Sequence, residues 1–278
     1  MIGELLSYTF MQRAFLASAL VGTLCSTVAF FVVLRRMAFL GVGISHAALG
    51  GIALGLVTGI NPAVTGSIFA LAVALATGQI SRRGRISEDT TIGILYAAGM
   101  AFGIALISVA RGYHPDLFSL LFGNILAVSP QDLQLMLVVA LLVLLFLILF
   151  FKELLAISFD EEMARAAGLP VSSLYLGLLA AIALTVIVSV KLAGAVLVSA
   201  LLVIPGATGY RLSSNYRGML ILSLATGLAG SLGGLLLSYY THIPAGAAMV
   251  LVMTLLFLLA LAKKPGRPKI KTTKEEVP

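Results

Sequence analysis

The sequence predicts an all-α, polytopic transmembrane helical bundle of about nine spans, or eight if one of them is broken, forming a single membrane domain. Three observations predict it. Of 278 residues, 60% are hydrophobic and 10% charged, against the ~25% charged residues usual in soluble domains, and mean hydropathy is +1.10. Apolar stretches of the ~20 residues that a helix needs to cross a bilayer follow one another with short punctuation. The basic residues collect in that punctuation.

The expected spans run in order over residues 15–34, 39–57, 63–80, 91–109, 133–151, 171–190, 192–209, 219–240 and 245–262. Arg35-Arg36 ends the first, Asn61-Pro62 turns the second into the third, and Arg82-Arg83-Gly84-Arg85 follows the third. Segment 117–128 is too short to span and reads as a re-entrant or surface helix. A break within 192–209 would leave eight full spans. The domain covers 1–262, with a basic tail at 263–278. Its first apolar run lacks the basic start and cleavage site of a signal peptide.

Small residues recur four apart as Ala47, Gly51, Gly55 and Gly59, with further pairs at Gly99/Gly103 and Gly230/Gly234. That spacing lets helix backbones approach closely in lipid and predicts a compact bundle. Cys25 reads as a small core residue.

With the N-terminus outside, all of the 18 Lys and Arg except Arg13, Arg111 and Lys191 fall inside, as the positive-inside rule requires. The net charge of +7 thus reports membrane topology and not a nucleic-acid partner. The tail and the 152–170 segment are expected in the cytoplasm.

No P-loop, zincin or nucleophile-elbow motif occurs, so the chain is expected neither to bind nucleotide itself nor to be an enzyme, and no cofactor is expected. Acidic residues lie near or outside the span ends. A proton-driven carrier would carry intramembrane relays, so energy is expected from a partner.

Segment 158–170 reads SFDEEMARAAGLP. Ser158 followed by Asp160, Glu161 and Glu162 is a cap-and-acid start, and Gly168 with Pro170 is a stop. The helix about 158–168 is either a solvated connector or a docking helix for a cytoplasmic motor.

Five stretches carry a family resemblance. They are RRMAFLGVGISHAALGGIALG (35–55), EDTTIGILYAAGMAFGI (88–104), LFGNILAVSPQDL (121–133), FDEEMARAAGLPV (159–171) and VKLAGAVLVSALLVIPGATG (190–209). In their order and spacing the chain resembles the membrane permeases of bacterial ABC importers for zinc, manganese and iron. The resemblance implies a vitamin-B12-importer-like fold, a homodimer in the lipid of the bacterial plasma membrane, a cytoplasmic ABC ATPase and an extracytoplasmic metal-binding solute receptor. It makes 158–168 the coupling helix, with Asp160, Glu161, Glu162, Ala164, Arg165 and Gly168 as the ATPase-coupling residues.

The family pattern G-D-x-x-S-H appears here as Gly41-Val42-Gly43-Ile44-Ser45-His46, with Val42 in the place of the acid. An Asp four residues before His46 would share its helix face. His46 is therefore the candidate pathway residue or transient metal ligand, the alternative being a structural His bonded to a nearby carbonyl or hydroxyl. His242, where relatives often carry Asp, is a weaker candidate for the outer entrance, and His114 reads as a loop residue. Lys191 is expected at the outer surface or against the docked binding protein, and Arg35 and Arg36 as topology determinants or as inner-surface contacts for the ATPase. The expected function is the permease of a divalent-metal importer. The alternatives are a permease for a metal chelate or cobalamin-like solute, and an ATP-independent carrier.

Overall fold

A computed structural model describes residues 8–84, 86–109 and 128–263. Expectations for His114, for segment 117–128 (Val128 apart), for the Lys191 side chain and for the tail beyond Lys263 lie outside the described residues.

Among these, twelve helices and no strand form: α1 Thr9–Leu34, α2 Phe39–Thr58, α3 Pro62–Gly84, α4 Glu88–Val109, α5 Pro130–Leu149, α6 Phe151–Phe159, α7 Glu161–Ala166, α8 Val171–Ala193, α9 Ala195–Leu201, α10 Ile204–Leu212, α11 Tyr216–Thr241 and α12 Ala245–Ala262. Eight are long and apolar enough to cross a membrane. The shortest of these, α12, has 18 residues, or about 27 Å at 1.5 Å per residue, close to a bilayer's ~30 Å hydrocarbon core.

The expected span over 192–209 is broken. Gly194, at φ 85°, separates α8 from α9, and Leu202 and Val203 separate α9 from α10. Pro205 in the first turn of α10 has no N–H to bond back into α9, so the helix restarts there. The two pieces nevertheless act as one traverse. Arg35, Arg82, Ser172, Tyr216 and Leu261 mark ends of α1, α3, α8, α11 and α12, and they share one face of the bundle through their contacts with α6, α7 and α10. Because α8 starts at this face and α11 starts there again, α9 and α10 together must bring the chain back. The start of α1 and the end of α12 thus lie on opposite faces.

Two packed groups make up the bundle, α2 with α3 and α4, and α11 with α1, α10 and α12. Helix α8 lies between them, against α3 and α5, and α1, α2 and α8 are the most buried spans. The small-residue pairs mark the seams. A Cβ added at Gly50 would lie 2.6 Å from the Gly99 carbonyl oxygen, and one at Gly103 only 3.0 Å from Gly50 Cα. Gly51 and Gly55 meet α3, and Gly230 and Gly234 meet Met253 and Met249 of α12. Gly59 differs from the expected stripe: it is the left-handed C-cap of α2 at φ 72°, with open space around it. On the α1–α11 seam the Ser223 hydroxyl donates to the Ser26 carbonyl at 2.8 Å, and buried Cys25 lies 3.5 Å from the Ser189 hydroxyl.

Candidate functional site

The arginine-lined face is built around α6 and α7. Helix α6 buries Leu154 and Ile157 and ends at Asp160, whose extended backbone (φ −152°, ψ 105°) also opens α7. The cap is Asp160 rather than Ser158. Its carboxylate accepts from the Met163 N–H at 2.9 Å, whereas the Ser158 hydroxyl donates back to Leu154 inside α6. The C-terminal stop follows the sequence expectation. Gly168 N–H donates to the Arg165 carbonyl and Leu169 N–H to the Ala164 carbonyl, the paired bonds of a Schellman motif. Gly168 sits at φ 82° with no atom near a notional Cβ, so the backbone conformation alone calls for glycine there.

The six residues of α7 divide into two faces. Ala164 is buried, while Glu162, Met163, Arg165 and Ala166 are exposed, followed by exposed Ala167 and Gly168. Glu161 turns inward. Its carboxylate takes Arg82 Nη2 at 2.8 Å, Arg35 Nη2 at 3.4 Å and, one helical turn on, Arg165 Nη2 at 3.3 Å.

Each inner arginine has further partners. Arg82 Nη1 donates to the Ser172 hydroxyl at 2.8 Å and Arg35 Nη1 to the Ile157 carbonyl at 2.9 Å. Their guanidinium carbons lie 4.4 Å (Arg82) and 4.9 Å (Arg35) from the ring centroid of buried Tyr175 on α8. At such distances the ring's negative face attracts a cation, by about 0.5–2 kcal/mol each. The Tyr175 hydroxyl is buried and has no hydrogen-bond partner among the described residues. The cluster therefore ties α7 to α1, α3 and α8.

Sequence reasoning missed Arg82 and Tyr175. Arg82 sat in a basic run that topology alone explained, and Tyr175 was one aromatic in an apolar span. Arg35, read as a topology determinant, is a structural partner with 9% of its side chain exposed.

His46 lies elsewhere, half-buried on α2, with its ring 5.5 Å from the Tyr96 ring of α4. Its Nδ1 is 2.9 Å from the Val42 carbonyl oxygen and 3.3 Å from the Ser45 hydroxyl. A carbonyl only accepts, so Nδ1 is the donor in that contact, and Nε2 is the ring nitrogen not engaged by it. Among the described residues no three His, Cys, Asp or Glu come together to hold a metal. His242 is the exposed, left-handed C-cap of α11 at φ 60°, its N–H bonded to the Ser238 carbonyl.

Comparison with known proteins places this geometry. The model of the ABC 3 transport family matches residues 7–264. The manganese transport system membrane protein MntC of Halalkalibacterium halodurans is 40% identical over 94% of this chain and 90% of its own. That of Listeria monocytogenes is 37% identical over 98% and 97%. In the solved structure of PsaBC from Streptococcus pneumoniae in complex with Fab, one chain superposes with a TM-score of 0.83 at 35% identity. The match covers 96% of this chain and 98% of that one.

Proposed function

The chain belongs to the ABC 3 transport family, and from that premise we propose that it is the permease subunit of an ATP-driven importer of a divalent metal ion, manganese foremost. It has no P-loop, so a separate cytoplasmic ABC ATPase hydrolyses ATP, an extracytoplasmic receptor delivers the ion, and two copies of this chain enclose the path. The relatives named for manganese transport support the choice of ion. The arginine-lined face is the cytoplasmic one, with the N-terminus outside and the C-terminus inside, because that orientation puts the clustered basic residues in the cytoplasm.

The observation that carries the coupling part is the capped helix α7, which exposes Glu162 and Met163 while Glu161 ties it to the membrane helices. Such a helix can be pushed from outside the membrane and pass the displacement inward. His46, with Nε2 outside the Val42 contact and no carboxylate at Val42, serves as a transient stop on the path and not as a tight site. A pathway has to release its ion as well as accept it.

A second reading, import of a metal chelate, draws on Val42 standing where the family carries an acid. Uptake of radioactive manganese, zinc, iron and an iron chelate into vesicles carrying the chain, its ATPase and its receptor separates the readings. ATP-dependent accumulation of free manganese is expected. Chelate uptake alone would favour the second reading, and uptake without ATP a carrier.

A further inference from the structure

We infer that Glu161 is an intramolecular pin, a positioning residue through which α7 moves α1, α3 and α8, and not a contact residue for the ATPase. The inference rests on the coupling role proposed for α7, and it reassigns the one acidic residue of that helix that faces its own chain.

A six-residue helix is not stable by itself, since nucleation outweighs the few bonds it makes. The only residue of α7 buried in the bundle is Ala164. What fixes its position laterally is the Glu161 carboxylate, held by Arg82 at 2.8 Å and Arg35 at 3.4 Å. These arginines stand at the ends of two different spans, and both lie over the Tyr175 ring at the base of a third. A displacement of α7 that keeps these contacts has to carry all three helix ends with it.

The charges also fit a permanent internal linkage. Arg35 and Arg82 share the Glu161 carboxylate beside one buried ring. Loss of Glu161 would leave Arg35, with 9% of its side chain exposed, without a carboxylate partner among the described residues, a costly state for a buried cation. Arg165, with 67% of its side chain exposed, is a surface partner of the kind that contributes little. It therefore serves as the control.

Two arms test the pin. With the permease alone in lipid nanodiscs, hydrogen exchange of the 161–169 amides is expected to rise about 2- to 30-fold in Glu161→Gln, the range of coupling energies spread through such networks. Arg165→Gln should stay near wild type. Unchanged exchange in Glu161→Gln overturns the pin.

In vesicles with the ATPase and receptor, Glu161→Gln is expected to keep hydrolysing ATP while manganese ions moved per ATP fall by a similar factor. The paired exchange Glu161→Arg with Arg82→Glu should restore part of the ratio. A parallel fall in hydrolysis and uptake, with no recovery in the exchange, overturns it. Absence of ATP-driven uptake in the wild type would sink the functional reading instead, and the nanodisc arm still decides the pin.

Discussion

Arg82 and Glu161, 79 positions apart in the chain, meet at 2.8 Å, and the other nitrogen of the same guanidinium holds Ser172 at the base of α8. The planar fork does both at once while its face lies over Tyr175. A lysine ammonium is a point charge on a flexible stem and cannot reproduce the three contacts.

Arg82→Lys is therefore not a conservative change. Hydrogen bonds to charged groups contribute about 1.5–3 kcal/mol when well shielded. Glu161 is 34% exposed, which lowers the expected loss to about 1 kcal/mol. Thermal unfolding of the detergent-purified permease should show that loss, with Arg165→Ala within about 0.5 kcal/mol of wild type. Equal effects of the two substitutions would contradict the ranking.

Gly168 offers a cleaner backbone test. Its φ of 82° is the demand, because no atom lies within 4 Å of a notional Cβ. Asn tolerates the left-handed region and Val does not. Gly168→Asn should leave α7 and transport near wild type, whereas Gly168→Val should cost about 1–2 kcal/mol locally and speed exchange of the 161–169 amides. Indistinguishable variants would mean that the Schellman stop does not fix α7.

Much of this was legible in the sequence, for a physical reason. Spans announce themselves by length and apolarity, and the Gly168–Pro170 stop by residues with few other uses. Even a break in the span over 192–209 was an open alternative, and the structure puts it at Gly194 and before Pro205. The clamp could not be read the same way. Pairing Arg35, Arg82, Tyr175 and Glu161 depends on four helix ends converging, and an arginine beside a membrane looks the same whether it sets topology or binds a carboxylate. The cap at Asp160 was misplaced by two residues, because Ser158 fits the capping pattern equally well until α6 is seen to run through it. His242, the weaker candidate for the outer entrance, is exposed at the left-handed C-cap of α11.

The α2–α4 seam predicts its own sensitivity. A Cβ at Gly50 would meet the Gly99 carbonyl oxygen at 2.6 Å, and backbone cannot rotate away as a side chain can. Gly50→Ala should cost about 1–3 kcal/mol through overpacking, read as a lower unfolding midpoint of the purified permease. Gly93, on α4 with no atom within 4 Å of a notional Cβ, is the matched control. Gly93→Ala should be neutral or slightly stabilising, and a comparable loss there would remove the packing explanation.

Met163 is 70% exposed on α7, and Phe159, just before the Asp160 break, is 69% exposed. If this is the surface an ATPase meets, Met163→Asp should weaken binding of the ATPase to the permease by about tenfold, or about 1.4 kcal/mol. The unfolding midpoint of the permease alone should be unchanged. Retained affinity would place the contact elsewhere on this face.

His46 can be dissected by which nitrogen a substitute preserves. Nδ1 is committed to the Val42 carbonyl at 2.9 Å, so a purely structural role belongs to that nitrogen. A role in moving the ion belongs to Nε2, the other ring nitrogen. An Asn amide can keep a donor near the Nδ1 position but offers nothing at Nε2. If His46 lines the path, His46→Asn and His46→Ala should both reduce ATP-driven manganese uptake at least tenfold, while the amount and the unfolding midpoint of the Asn variant stay near wild type. If the ring only braces α2, His46→Asn should transport normally and His46→Ala should lose stability together with uptake. The initial rate of manganese uptake, measured beside the unfolding midpoint for both variants, separates the two roles, and wild-type transport by the Asn variant would remove His46 from the path.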